Sequence, residues 1–324
     1  MSAQPSRLVS DLAHDDTLLP FAVEPLDVRG RLVRLGPSVD HILSRHGYPP
    51  AVARLLGEAS ALTCLLGSTL EKNARFQLQT RTDGVADMLV VDFDAPDRLR
   101  AFARFDAERL SAAEQDGKAS PAQLLGHGHL ALTIDQGPDL ARYQGVVALE
   151  GDTLEEAAHR YFRQSEQIPT LVRLAVGENV EQGGSHWRAG GLIVQFLPDS
   201  PERARQADLH PGDAPEGHVA AEDSIDDAWD EARALAATVE DHELVDPTLS
   251  GERLLYRLFH ERGVKVFRAA PVRDQCRCSS EGIERMLRSF SPQERADMVG
   301  EDGKIGVTCE FCSTKREFDP AAFD

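Results

Sequence analysis

Four of the chain's five cysteines lie within 37 residues near its C-terminal end, as Cys276-Arg-Cys278, thirty intervening residues, and Cys309-Glu-Phe-Cys312. Two close-spaced thiol pairs let two short loops clamp one ion, and Zn²⁺ favours a tetrahedral shell of sulfur. The spacing therefore predicts one Zn²⁺ per chain in the reduced protein, held by Cys276, Cys278, Cys309 and Cys312. The flanking residues agree. Ile305-Gly-Val-Thr and Lys315-Arg-Glu-Phe read as two short strands around a knuckle, and Gly282–Phe290 reads as a helix. Ser291-Pro-Gln-Glu294 is a capping box with Pro in the first helical position, which opens a second helix. A closed four-sulfur site usually does no more than hold a small module together. The Cys-x-Cys spacing of the first pair departs from the Cys-x₂-Cys of ordinary zinc ribbons.

The N-terminus, Met1-Ser-Ala-Gln-Pro-Ser-Arg, opens no apolar run, and no stretch approaches the ~20 apolar residues that span a bilayer. A cytoplasmic location without a membrane partner is expected. Cytosol is reducing, so the cysteines read as metal ligands or redox switches before structural disulfides. With 35 Lys+Arg against 54 Asp+Glu the formal net charge is −19. That balance argues against nucleic acid as a partner, because affinity for a polyanion comes from clustered cations displacing counterions.

Acidity is concentrated rather than spread. Residues 201–250 hold 14 acidic and 3 basic residues, whereas residues 251–324 hold 13 of each. The stretch 198–223 has almost no large apolar side chain and cannot offset the entropy of its own ordering, which marks a linker or a long loop. Before it, Pro50–Leu70 carries apolar residues at helical period. Phe76–Thr80, Met88–Phe93, Leu99–Phe105, Leu130–Ile134 and Tyr143–Leu149 read as sequential strands joined by turns such as Asp83-Gly84, with Leu171–Val176 and Leu192–Leu197 as two more. Thr153-Leu-Glu-Glu156 caps a helix that runs to about Gln167. After the linker, Ile225, Trp229, Ala232, Leu235, Ala236 and Val239 form the stripe of an amphipathic helix with Ser224 as its cap, and a second helix starts at Ser250 and stops at Gly263. The stripes need a partner, and the sheet of the first domain is the nearest large surface. The class is α+β: an N-terminal, mostly antiparallel sheet with packed helices (1–197), an acidic and helical linker (198–262), and a small C-terminal four-Cys module (263–324).

Cys-x-Cys, about thirty residues, then Cys-x-x-Cys near the C-terminus resembles the signature of the thirty-three-kilodalton heat-shock protein family, bacterial redox-regulated holdase chaperones. Leu18-Leu-Pro-Phe-Ala, Leu89-Val-Val-Asp, Leu130-Ala-Leu-Thr-Ile-Asp-Gln-Gly, Tyr143-Gln-Gly-Val-Val, Tyr161-Phe-Arg-Gln-Ser-Glu-Gln-Ile-Pro-Thr and Ala189-Gly-Gly-Leu extend the likeness over most of the chain, the acidic stretch 198–223 excepted. The resemblance implies an ATP-independent holdase, not an enzyme. It would be inactive while zinc is bound and active once Cys276 pairs with Cys278, and Cys309 with Cys312. Its partners would be unfolded or partially folded client proteins, and a second copy of the chain on oxidation. The linker stripe Ile225, Trp229, Leu235 and Val239 would cover, or join, the client surface.

Other candidates are weaker. Cys64 falls inside an apolar helix, where a buried core thiol is the expected reading. His127-Gly-His129 lacks a third ligand and reads as a loop, and Gly126-x-Gly128 lacks the strand-to-helix context of a dinucleotide site. Asp135 and Glu166 are carboxylates that nothing pairs. Two alternatives remain open. A thiol oxidoreductase would use Cys309-x-x-Cys312, although such a pair normally sits at a helix N-terminus. A zinc-ribbon adaptor or RNA-binding protein would need a basic face, which the neutral residues 251–324 do not supply.

Overall fold

The computed structural model describes residues 15–137, 140–181, 184–197 and 227–323. The chain enters as strands β1 (Thr17–Val23) and β2 (Val28–Leu35), then helices α1 (Pro37–Ser44) and α2 (Pro50–Gly67). The meander β3 (Arg75–Thr82), β4 (Met88–Asp94), β5 (Arg98–Arg104) follows, then helices α3 (Ala107–Gln115) and α4 (Pro121–Leu125). Strands β6 (His127–Asp135) and β7 (Tyr143–Glu150), helix α5 (Leu154–Tyr161) and the long hairpin β8 (Thr170–Glu181) and β9 (Gly184–Phe196) complete the first half. Helices α6 (Asp227–Ala237), α7 (Asp241–Val245) and α8 (Gly251–Phe259) come next, and the short strands β10 (Lys265–Val266), β11 (Ala270–Pro271) and β12 (Arg273–Asp274) after them. The chain closes with α9 (Ser280–Arg288), α10 (Pro292–Asp297) and the hairpin β13 (Ile305–Thr308), β14 (Lys315–Phe318).

Two six-stranded sheets result. Sheet one runs β10-β1-β2-β9-β8 with β11 also on β1, and sheet two runs β12-β5-β4-β3-β6-β7. The α+β class with antiparallel pairing is as expected, and the single parallel contact between these strands is β12 on β5. Helix α2 packs against strands of both sheets. Fourteen of its eighteen residues are buried, so it forms the axis of the main core rather than a one-sided amphipathic helix. Leu55, Leu56, Leu62 and Leu65 meet Val33 and Ile193 from sheet one and Leu78, Val91 and Leu130 from sheet two. Cys64 is fully buried there, and burial pushes its thiol well above the usual range, as for an inert core residue.

Sheet one buries its second face too. Phe21, Leu32, Leu192, Val194 and Phe196 pack against Trp229, Ala232, Ala236, Leu254, Leu255 and Phe259. The Trp229 and Phe196 rings lie 6.2 Å apart. Two buried arginines of the sheet hold the end of α7. Arg188 donates Nε to the Val245 carbonyl (2.6 Å) and forks onto Asp15, while Arg34 donates to the carbonyls of Glu243 and Asp246. Cations at a helix C-terminus satisfy orphan carbonyls and the dipole together. The Gly190-Gly191 pair in β9 follows from this packing, since a Cβ on Gly190 would run into the Leu244 carbonyl.

Several expectations change. Ile225, Ser224 and the acidic stretch 198–223 lie outside the described residues. Trp229 and Val239 are buried, but Leu235 is only partly so, and Val239 follows the last helical turn. The strands at 171–176 and 192–197 are parts of one longer hairpin paired from Thr170 with Gln195 to Glu181 with Gly184. His127 and His129 belong to β6 and are exposed, not to a loop. Residues 265–274, grouped by sequence with the cysteines, add strands to both large sheets. Among the described residues no helix is long and apolar enough to cross a membrane.

Helix α8 offers a paired test of this packing. Phe259 is fully buried, 5.7 Å from the Phe21 ring, whereas Tyr256 on the same helix is 64% exposed. Phe259→Ala is expected to cost about 3–5 kcal/mol and Tyr256→Ala no more than ~0.5 kcal/mol. Urea midpoints followed by tryptophan fluorescence would measure both.

Candidate metal centre

The two cysteine pairs are presented by different local structures. Cys276 and Cys278 occupy the extended segment between β12 and α9, whose cap Ser279 accepts the Gly282 amide at 3.0 Å. Cys309 and Cys312 sit in the turn between β13 and β14. That turn closes through the Cys309 amide donating to the Thr314 carbonyl (3.1 Å) and the Ser313 amide donating to the Cys309 carbonyl (2.8 Å). Ser313 adopts φ 55° to let the chain reverse.

Folding brings all four sulfurs within 4.8 Å of one another. Cys276 and Cys309 Sγ are 3.7 Å apart, and Cys278 and Cys312 Sγ 3.3 Å. A tetrahedral zinc with ~2.3 Å bonds places its sulfurs roughly 3.8 Å apart, so the donor set and its spacing fit that ion. The module around it is small. Its buried apolar core is Leu287, Ile305, Phe318 and Phe323.

The thiols are unequal. Burial disfavours ionisation of Cys312, but hydrogen bonds from the Thr314 hydroxyl and amide and from the neighbouring thiols outweigh it and bring the group down to about 6. Burial pushes Cys278 up to about 12, with the Cys312 contact adding to it and the Arg316 guanidinium, 3.3 Å from its sulfur, opposing. Burial likewise raises Cys309. One ionised sulfur surrounded by donors is how a thiol cluster shares protons, and a metal taking all four displaces them.

The module docks on sheet two through residues that the cysteine pattern does not reveal. Arg277, between the first two cysteines, places Nη2 3.0 Å from Asp92 and Nε 3.3 Å from Asp94 of β4. Asp92 is fully buried and also receives Arg100 Nε at 2.9 Å and Gln77 Nε2 at 2.8 Å. Arg100 in turn lies 3.9 Å from the centroid of the Phe311 ring and 4.0 Å from the Cys276 sulfur. Phe311, between the last two cysteines, meets Phe102 edge-on at 4.8 Å. Beside them His46 Nε2 is 3.2 Å from the Phe311 carbonyl and its Nδ1 3.0 Å from the Ser313 hydroxyl. This fits an imidazole that donates from Nε2 and accepts at Nδ1. Both cysteine loops are thus pinned to β4, β5 and the end of α1. The one signal in sequence was Asp92 inside the otherwise apolar run Leu89-Val-Val-Asp-Phe, since a buried carboxylate needs a partner.

The remaining sequence candidates are not drawn to this centre. Trp229, Leu235 and Val239 cover sheet one. Asp135 pairs with Arg142 Nε at 3.2 Å, and Glu166 accepts the Tyr161 hydroxyl at 2.6 Å.

A family model described as Hsp33 protein matches residues 16–319. The 33 kDa chaperonin of Caulobacter vibrioides is 45% identical over 308 residues, covering 94% of this chain and 95% of its own. That of Shewanella loihica is 33% identical over 304 residues, covering 94% and 93%. Among solved structures, the 33 kDa chaperonin (heat shock protein 33 homolog) of Thermotoga maritima superposes with a TM-score of 0.72 over 95% of this chain and 96% of that one; at 20% identity it bears on the fold alone. Fold, cysteine cluster and relatives over nearly the whole length agree, and the chain belongs to the Hsp33 family of chaperones.

Proposed function

We propose that the protein is a redox-regulated, ATP-independent holdase of the cytoplasm. It is held inactive by zinc on Cys276, Cys278, Cys309 and Cys312, and binds unfolding proteins once those cysteines are oxidised under oxidative or heat stress. The observation that carries this reading is the convergence of four sulfurs within 4.8 Å in a module whose own apolar core has four buried residues. So small a core does not hold a module by itself. Metal binding in such modules is worth ~10–16 kcal/mol, and that energy is folding energy.

Oxidation by peroxide converts two thiols and one H₂O₂ into a disulfide and two waters, once for each pair. Pairing inside each motif, Cys276 with Cys278 and Cys309 with Cys312, leaves the two loops with no link to one another. Loops this short gain little stability from closure, so oxidation loosens the module instead of stapling it. Arg277 and Phe311 then lose their fixed seats on Asp92, Arg100 and Phe102. The linker helices α6 to α8 lose a neighbouring constraint, and the apolar face of sheet one under Trp229 becomes available to clients. A homodimer on oxidation belongs to the same reading. High negative charge keeps the opened surface soluble.

Zinc released to a metal-sensitive dye by peroxide and mild heat is expected at about one ion per chain, and a Ser at any one of the four positions should weaken retention in the reduced protein. Full retention in two single variants would overturn the four-sulfur assignment.

Replacing Trp229 and Leu235 together with polar residues removes apolar contacts worth about 1.5–3 kcal/mol for each fully buried side chain, rather less at half-buried Leu235. That variant should suppress client aggregation in light scattering under reducing conditions while its zinc stays bound. If it stays inactive until oxidised, this stripe is not the restraint.

Arg277→Gln should free the module from β4 while leaving Asp92 paired with Arg100. Limited proteolysis of the reduced protein should then cut within residues 199–324 sooner than in the parent chain, with zinc content unchanged. Equal cleavage rates would show that the Asp92 contact does not hold the module.

A further inference from the structure

A cavity of about 200 Å³ lies between the two large sheets, beside the C-terminal end of α2, and its lining shares no residue with the docked cysteine loops. Its wall is largely apolar, with Leu65, Phe76, Ile134, Phe162, Ile168 and Ile193 contributing. Arg31 also lines it, from the interior strand β2, paired across to Pro20 of β1 and Ile193 of β9. Among the described residues its guanidinium has neither a hydrogen-bond nor an ion-pair partner, and burial alone pulls its basicity down. This contrasts with Arg34 three residues on, whose guanidinium holds backbone carbonyls of α7.

Gln195 lines the same cavity and shares the face of Arg31, because Ile193 opposes Arg31 in the ladder and Gln195 is two residues further along β9. It too lacks a side-chain partner among the described residues. Glu166 reaches the wall, but its Oε1 is taken by the Tyr161 hydroxyl. A half-buried cation without a counterion is costly to keep unless something anionic completes it. The fork of a guanidinium beside a primary amide matches the two oxygens of a carboxylate. Besides Arg31 the charged group on the wall is Glu166, which is turned to the Tyr161 hydroxyl and makes no ion pair with Arg31; the remaining wall is mostly apolar and asks for hydrocarbon.

We propose that this cavity binds a carboxylate carrying one short apolar chain, with Arg31 and Gln195 receiving the carboxylate and the side chains from α2, β3 and β6 enclosing the tail. The same chemistry is presented by a free medium-chain fatty acid and by the C-terminal residue of a polypeptide ending in a large apolar side chain. The proposal stands independently of the zinc centre and of the redox reading.

Isothermal titration calorimetry of the full reduced chain would test it. One arm uses sodium octanoate below its micellar concentration, with octan-1-ol as the uncharged control. The other uses an acetylated tripeptide ending in Leu-Phe, as free acid and as amide. At least one carboxylate should bind at one site per chain, roughly tenfold or more tighter than its uncharged control. Octanoate alone would identify a free fatty acid as the occupant, and the peptide acid would identify chain ends. Arg31→Gln should remove that preference and leave the affinity for octan-1-ol unchanged, which a general loosening of the fold would not do. Should that variant fail to fold, Gln195→Leu carries the same expectation in weaker form. Equal binding of acid and control, no binding by either acid, or an undiminished preference in a folded variant would overturn the assignment.

Discussion

Sheet one is apolar on both faces, and most of the architecture answers to that. Strand β2 sends Val33 and Leu35 into the core around α2 and Leu32 toward the linker helices, and β9 divides Ile193 from Leu192 and Val194 in the same way. A half-buried antiparallel sheet needs one covering layer, whereas this one needs two. The second layer comes from α6, α7 and α8, which are joined to the first half of the chain through the most acidic part of the sequence. In a chaperone family this is an economical arrangement: the surface that needs covering is the kind that an unfolding protein would stick to, and its cover is made of short helices held at one end by Arg34 and Arg188.

Sheet two is coupled to the cysteines by a different physics. Asp92 is a fully buried carboxylate with two arginines and an amide around it, one arginine from its own sheet and one from between the zinc-ligand candidates. Removing a partner from such a cluster costs more than the cluster contributes to stability when intact. A contact of that kind is decisive about geometry: the module sits where Arg277 meets Asp92 and Asp94, or it leaves a charge stranded. Phe311 packed between Arg100 and Phe102 makes the second cysteine loop obey the same placement.

What could be read in the sequence was local. Thr153 with Glu156 and Ser291 with Glu294 form reciprocal caps because four consecutive residues suffice to make them. The β3–β4 and β6–β7 hairpins and the β13–β14 knuckle follow from alternation and turn residues. The four cysteines were legible as a set because metal coordination restricts spacing so strongly. Helices α3 and α4 were not foreseen, although Asp106 and Ser120 cap them, because their short apolar content hardly rises above that of a loop. Arg277, Arg100 and Phe311 were not legible as docking residues, since their partners lie some two hundred positions away or on another element. The division at residue 263 falls at the glycine that stops the second linker helix, a local signal that carries no trace of the ladders that tie 265–274 to β1 and β5.

Those ladders also set an order of events in synthesis. Strand β1 is synthesised about 250 residues before the strands on its outer edge, where Phe21 pairs with Val266 and Thr17 with Pro271. A ribosome must deliver the linker helices before that edge can close, and the pairing is about as non-local as this length allows. Until then β1 offers unpaired backbone groups beside an uncovered apolar face, the combination that drives edge-to-edge association. The nascent protein thus passes through a state that itself needs shielding, and the residues that end its vulnerability are the ones leading directly into Cys276.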